Sequence, residues 1–211
     1  MSCAMLKEKV IIGITGGIGS GKSVVSRILR LKGFPVYDCD YESKVLMRRD
    51  KCLLRQIRCL LGEESILENG ELNRKYVAER IFKDESLRVG MNAIVHGVVK
   101  EDFLLWAAAE MSQTVFCESA ILASSGFADF CDSVWIVDAP KDVRIARVMK
   151  RNAMTEEQVT ARMMSQESET ELLADRNPEV ITNAGITSLL TKIENLLNLD
   201  IKKIEICLEK F

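Results

Sequence analysis

One stretch near the start of the chain limits its possible folds: Val10-Ile11-Ile12-Gly13-Ile14-Thr15-Gly16-Gly17-Ile18-Gly19-Ser20-Gly21-Lys22-Ser23. Val10 to Ile14 is a β-branched apolar run, the pattern of a short strand buried on both faces. Gly16 to Ser23 fits G-x-x-x-x-G-K-[ST], the phosphate-binding loop that joins a strand to a helix. The residue types follow from the task. Backbone N–H groups must turn inward around phosphate oxygens, through dihedrals that glycine reaches at little cost. Lys22 is placed to neutralise the β- and γ-phosphates and the Ser23 hydroxyl to ligate Mg²⁺, while the next helix aims its positive end at the same anion. A strand-to-helix turn that binds nothing has no use for Lys22 and Ser23 at that spacing. A nucleoside triphosphate site is expected, built from Gly17, Ile18, Gly19, Ser20, Gly21, Lys22 and Ser23.

The rest of the chain supplies a sheet around this loop. Apolar strands are expected at Val10 to Ile14, Phe34 to Tyr37, Thr114 to Glu118, Ser133 to Asp138 and Val180 to Thr182, with helical stretches between them. That alternation implies an α/β fold: a mostly parallel five-stranded sheet with helices on both faces, of the P-loop nucleoside-triphosphate-hydrolase-like kind. Ser23 to Leu31 reads as a helix whose buried stripe is Val24, Val25, Ile28 and Leu29. Tyr41 to Leu61 reads as one helix. Asn73 should cap a helix through Phe82, and Asp84 should open another that runs to about Met111 with a break near Gly97. On that helix Leu104, Leu105 and Trp106 are expected in the core. Lys141 to Asn152 is helical, and Thr155 with Gln158 makes a capping box opening a helix to about Ser168. Asn183-Ala184-Gly185 leads into a Leu/Ile-rich helix through Leu199, and Ile201 to Phe211 is a final strand or a tail. One domain over residues 1–211 is expected, with its core at about 8–40, 112–140 and 176–200. A strandless helical insertion at about 41–111 is expected to hold an acceptor, and a helical lid to span about 141–170.

Composition excludes several classes. Lys+Arg of 29 against Asp+Glu of 31 leaves a net charge of -2, so no nucleic acid partner is expected. No apolar run approaches the roughly 20 residues of a membrane span. The N-terminus leads straight into the first strand, so a cleavable signal is not expected. The seven cysteines are odd in number and form no Cys-x-x-Cys pair, which fits a reducing cytoplasm better than a disulfide or zinc framework.

Further residues suit phosphoryl transfer. Asp38 and Asp40 stand just beyond the second strand, where ligands of parallel α/β sheets gather. One carboxylate near the acceptor hydroxyl can orient it and take its proton, and another can sit near the metal. The plainer reading is that Asp40 caps the helix at Tyr41. Arg144, Arg147 and Arg151 share one helical face, and Arg162 and Gln166 are spaced i, i+4 on the next helix. Such a face is often merely solvated. A closing lid, however, needs guanidinium groups to meet the charge on the transferred phosphoryl. His96, the only histidine, is expected to pack or cap. No Asn-Lys-x-Asp tetrapeptide supports a guanine-specific site.

With these pieces in place the chain resembles the dephospho-coenzyme A kinase family over nearly its whole length. Gly13 to Ser23 is similar to that family's extended loop through its Thr-Gly-Gly-Ile-Gly core. Asp38-Cys39-Asp40 resembles its Asp-Ala-Asp, in which the second aspartate is the proposed base. Leu72, Arg74 and Phe82, then Asp84, Arg88, Ile94 and His96, follow its substrate-side helices. Arg147, Arg151, Arg162 and Gln166 match its lid, and Asp175, Ile181, Asn183 and Gly185 match the approach to its last strand. Four departures stand out. Val24 replaces a common threonine, though its N–H still serves a phosphate, and Gly97 follows His96 in place of proline. Asn73 replaces an aspartate, and Ser124 occupies the place of a glutamate.

The resemblance implies transfer of the γ-phosphoryl of ATP to the ribose 3′-hydroxyl of dephospho-coenzyme A, with Mg²⁺. Asp40, Lys22, Arg147 and Arg151 are then catalytic. Asp38, Arg74, Arg88 and His96 hold the acceptor, Arg162 and Gln166 belong to the lid, and Asn183 and Val24 join the nucleotide site. A soluble cytoplasmic monomer acting only on small molecules is expected. A kinase for a nucleoside or nucleotide, or an ATP-binding module without turnover, are the alternatives.

Overall fold

The computed structural model describes residues 9–183 and 189–199. It divides into two compact units: Asp38–Ala109 form one, and the described residues outside that segment form the other.

Five strands make one sheet: β1 (Val10–Thr15), β2 (Val36–Asp38), β3 (Thr114–Glu118), β4 (Ser133–Asp138) and β5 (Glu179–Thr182), all in the larger unit except Asp38. Their order is β2-β3-β1-β4-β5. β1 runs parallel to β3 on one side and β4 on the other, with Ile14 opposite both Glu118 and Trp135. β4 continues parallel to β5. The loop after β1 therefore leaves from the middle of the sheet, at its carboxyl edge, where α/β folds bind ligands.

The strands are apolar for a reason visible in the packing. Ile12, Ile14, Phe116, Trp135, Val137 and Ile181 form one core cluster with Val25 and Leu29 of helix α1 (Lys22–Leu31). Leu189, Ile193 and Leu196, from the helical residues 189–199, complete it. Trp135 is fully buried and meets the Phe116 ring edge-on at 5.3 Å. Val24 departs from its expected place. It is 46% exposed, because Val25, Ser26 and Leu29 define the inward face and residue 24 falls on the far side of the helix.

The smaller unit is helical: α2 (Cys39–Arg49), α3 (Lys51–Leu61), α4 (Arg74–Lys83) and α5 (Glu85–Ala109). The single helix expected over 41–61 is two. Asp50 is extended, and its carboxylate accepts from the N–H groups of Cys52 at 2.7 Å and Leu53 at 2.9 Å, capping α3. Asn73 caps α4 through Tyr76 N–H at 3.3 Å, as its sequence position suggests. α5 passes through Gly97 unbroken. Its buried side chains are Met91, Val99, Phe103 and Ala107, whereas Leu105 is 66% exposed and Leu104 and Trp106 are only half-buried. The 3.6-residue period selects 99, 103 and 107, and the apolar run at 104–106 lies beside that stripe.

A Cβ added at Gly97 would meet nothing within 4 Å among the described residues. Gly97→Ala is therefore expected to stabilise the protein by about 0.5–1 kcal/mol through the unfolded chain's lost freedom. A thermal melt with an unchanged or lowered midpoint would contradict this.

The segment expected to form a lid comprises α6 (Lys141–Asn152), α7 (Glu156–Met164) and α8 (Glu167–Glu171). The capping box forms in both directions, with Thr155 N–H on Gln158 Oε1 at 3.1 Å and Gln158 N–H on Thr155 Oγ1 at 3.4 Å. The helix expected to reach about 168 stops at Met164. There Ser165 turns its hydroxyl back onto the Arg162 carbonyl at 2.9 Å. The expectations for Ala184, Gly185 and Ile201 to Phe211 lie outside the described residues.

Candidate active site

The loop between β1 and α1 is shaped by residues that leave no room for side chains. Gly16 has φ +144°, and a Cβ there would lie 2.1 Å from the Val137 carbonyl oxygen. Gly21 has φ +100°, and a Cβ would lie 2.0 Å from Asn183 Nδ2. For the loop's N–H groups to face inward, its carbonyls must face outward and find donors there. They do. Lys22 Nζ donates to Gly16 O at 2.6 Å and Arg144 Nε to Ile18 O at 3.0 Å. Arg147 Nη1 donates to Gly19 O at 3.4 Å, and Asn183 Nδ2 to Ser20 O at 2.9 Å. Asn183 is itself buried and fixed at the end of β5, its N–H on Asp138 O at 2.6 Å and its carbonyl taken by Arg147 Nη2 at 3.2 Å. Gln166 Oε1 accepts the Ile18 N–H at 2.7 Å.

Several residues assigned from sequence thus come together. Lys22, Arg147, Asn183 and Gln166 converge on the loop formed by Gly17, Ile18, Gly19, Ser20 and Gly21. Ser23 and Val24 stand exposed in the first turn of α1. Arg151 and Arg162 do not reach the loop in this arrangement. Arg151 Nε is on Asn152 Oδ1 at 2.8 Å, and Arg162 is exposed. Arg144 is the residue that motif reasoning passed over. Its only sequence signal is membership of the 144, 147, 151 face.

In the helical unit Asp38, not Asp40, caps α2, its Oδ1 accepting the Tyr41 N–H at 2.9 Å. Asp40 lies inside the first turn, exposed, so the plainer capping reading for it does not hold. Arg74 is the first residue of α4 and exposed. Arg88 donates Nε to Glu85 Oε2 at 2.8 Å. That bond, chiefly, holds the Glu85 carboxyl below and the Arg88 guanidinium above its ordinary pKa. His96 is half-buried in mid-α5.

Ser124 stands where a carboxylate was expected from the resemblance, yet a carboxylate is present at this loop. Glu169 of α8 is buried, and its Oε2 accepts the N–H groups of Ala123 at 3.1 Å and Ser124 at 3.3 Å. Nothing local in the sequence connects residues so far apart.

For a divalent cation the donor set is sparse. Among the described residues no cluster of three or more His, Cys, Asp or Glu side chains could hold a metal. The exposed Ser23 hydroxyl beside the phosphate loop fits an ion that keeps its water and arrives on nucleotide phosphates, as Mg²⁺ does.

The model of the dephospho-CoA kinase family matches residues 10–188. The chain belongs to the dephospho-CoA kinase family. The dephospho-CoA kinase of Porphyromonas gingivalis is 41% identical over 188 residues, covering 89% of this chain and 93% of the relative. A crystal structure of a Thermus thermophilus protein superposes with a TM-score of 0.75 at 30% identity, covering 92% of this chain and 97% of the other. A dephospho-CoA kinase structure from Campylobacter jejuni shares the fold, with a TM-score of 0.62 at 20% identity over 89% of this chain and 95% of the other. The dephospho-CoA kinase match spans every candidate residue from Gly17 to Asn183.

Proposed function

We infer that this chain is a dephospho-CoA kinase: it transfers the γ-phosphoryl of ATP to the ribose 3′-hydroxyl of dephospho-coenzyme A, releasing coenzyme A and ADP, the last step of coenzyme A biosynthesis. The observation that carries this reading is a phosphate loop with Lys22 and Ser23 in place, inside a chain matched by the family over residues 10–188.

The roles follow from charge and reach. Backbone N–H groups of the loop that no protein acceptor holds bind the β- and γ-phosphates, and the Lys22 ammonium balances their charge. Mg²⁺, when bound, draws further charge from those phosphates, and Ser23 Oγ is the residue that would ligate it. Asp40 lies two residues beyond β2, in the first turn of α2. It orients the acceptor hydroxyl and takes its proton as the oxygen attacks phosphorus. Asp38 contributes negative charge beside the acceptor while capping α2. Arg147, Arg151 and Arg162 gather around the transferring phosphoryl as the lid closes over the nucleotide. The helical unit, through Arg74, Arg88 and His96, receives the acceptor. Five free thiols among the described residues suit a reducing cytoplasm, where we place a monomeric enzyme.

The test is acceptor-dependent ADP release. Purified protein with ATP and Mg²⁺ should release ADP with dephospho-coenzyme A and at least about a hundredfold more slowly with nucleosides or nucleotides, since a site built for one hydroxyl rejects analogues that leave its polar groups unpaired. Equal or better turnover with a nucleoside would point to a different small-molecule kinase. ATP binding without stimulation by any acceptor would point to a binding module.

A further inference from the structure

Ile18 is held from three sides by the lid segment. Its N–H is on Gln166 Oε1 at 2.7 Å, and its carbonyl accepts from Arg144 Nε at 3.0 Å. Its side chain packs against the lid's own small core of Val148, Val159 and Met163. Both main-chain polar groups of Ile18, on successive peptides, are thus held by side chains. Gly17 carries the mark of the same contact. Its φ is not positive, so its backbone does not demand glycine, but a Cβ there would sit 2.1 Å from Arg144 Nη2. The glycine leaves room for the guanidinium. Gly19 is likewise closed in, a Cβ lying 2.6 Å from the Arg144 carbonyl oxygen and 2.9 Å from Val148 Cγ2.

We propose that Arg144 and Gln166 are positioning residues that clamp the main chain at Ile18 from the lid and so hold the phosphate loop in its anion-accepting shape before nucleotide arrives. A loop pinned in this way loses little freedom on binding, so the clamp acts on nucleotide affinity. Arg144 does this through a directional Nε–H fixed at 3.0 Å. Lysine, a flexible point charge, cannot reproduce that bond while also filling the space beside Gly17. The lid thereby does two things: its fixed part shapes the loop, and its exposed arginines remain available to the phosphoryl group.

This inference rests on the nucleotide site proposed above, so the parent protein is measured first. If the parent fails to bind ADP, the functional reading fails. If it binds ADP, the variants decide the clamp alone. Arg144→Lys and Gln166→Met are each expected to weaken ADP binding and raise the KM for ATP about tenfold, the effect of one lost part-buried polar contact. The kcat should change less than about threefold and the KM for dephospho-coenzyme A should stay unchanged, because neither residue acts on the acceptor. The double variant should fall short of the product of the single effects, since both side chains hold the main chain of one residue. Gly17→Ala should reproduce Arg144→Lys and add little to it. Circular dichroism melts should stay close to the parent's. ADP affinity at the parent's level in Arg144→Lys would overturn the clamp and leave only a charge effect. A drop in melting temperature with all kinetic constants falling together would overturn it in favour of a packing role.

Discussion

Asp40→Asn is expected to lower kcat by about three orders of magnitude, within the range that a positioned general base contributes. The substitution keeps the size of the side chain and its place in the first turn of α2, where Asp40 is exposed and Asp38 already caps the helix. The helix cap does not depend on it, and asparagine keeps its size, so stability and ADP affinity should match the parent's within about twofold. The acceptor hydroxyl, in contrast, loses the only group we assign to receive its proton. Asparagine can still accept a hydrogen bond from the hydroxyl, so binding of dephospho-coenzyme A should weaken far less than turnover falls. Stopped-flow or coupled assays across saturating substrates separate the two effects. A kcat within a few-fold of the parent would remove Asp40 from the mechanism.

The largest stability effect is expected at Gly16. An alanine there combines a positive φ with a Cβ 2.1 Å from a main-chain carbonyl, that of Val137 in β4. A strand carbonyl cannot swing aside as a side chain can. Either β1 separates from β4 or the loop takes another path, so Gly16→Ala should lose more than about 3 kcal/mol and bind nucleotide poorly. Gly33→Ala is the control. Gly33 also has a positive φ, +89°, yet a Cβ there meets nothing within 4 Å among the described residues. It should lose only about 1 kcal/mol, the dihedral contribution alone. Equal losses in urea titrations of the two variants would show that the Val137 contact is unimportant.

What the sequence discloses and what it hides divide along physical lines. β3, β4 and α6 are bounded by local chemistry, such as Pro140 between β4 and α6, and their limits can be read directly. The phosphate loop is legible because its function is written in the backbone freedom of consecutive residues. The N-cap at Asn73 and the capping box at Thr155 are local as well. Asp50 was open to the same reasoning. It ends one helix and caps the next, but the apolar and basic residues on both sides read as one amphipathic run. Gly97 gives the opposite lesson, since a glycine in a 25-residue helix loses little when its neighbours pack. The contacts of Arg144 with Ile18, and of Glu169 with Ala123 and Ser124, are tertiary. They arise where the segment from α6 to α8 returns to the loops after β1 and β3, and no pattern within either segment announces them. Arg151 turned to Asn152 shows the converse: sharing a helical face with Arg144 and Arg147 does not place a side chain at the loop.

The most direct measurement is the identity of the product. Protein, ATP, Mg²⁺ and dephospho-coenzyme A should yield ADP and coenzyme A in equal amounts, with mass spectrometry and ³¹P NMR placing a new phosphomonoester on the ribose 3′-oxygen. ADP accompanied by inorganic phosphate and unchanged acceptor, or a phosphate on any other hydroxyl, would contradict the account.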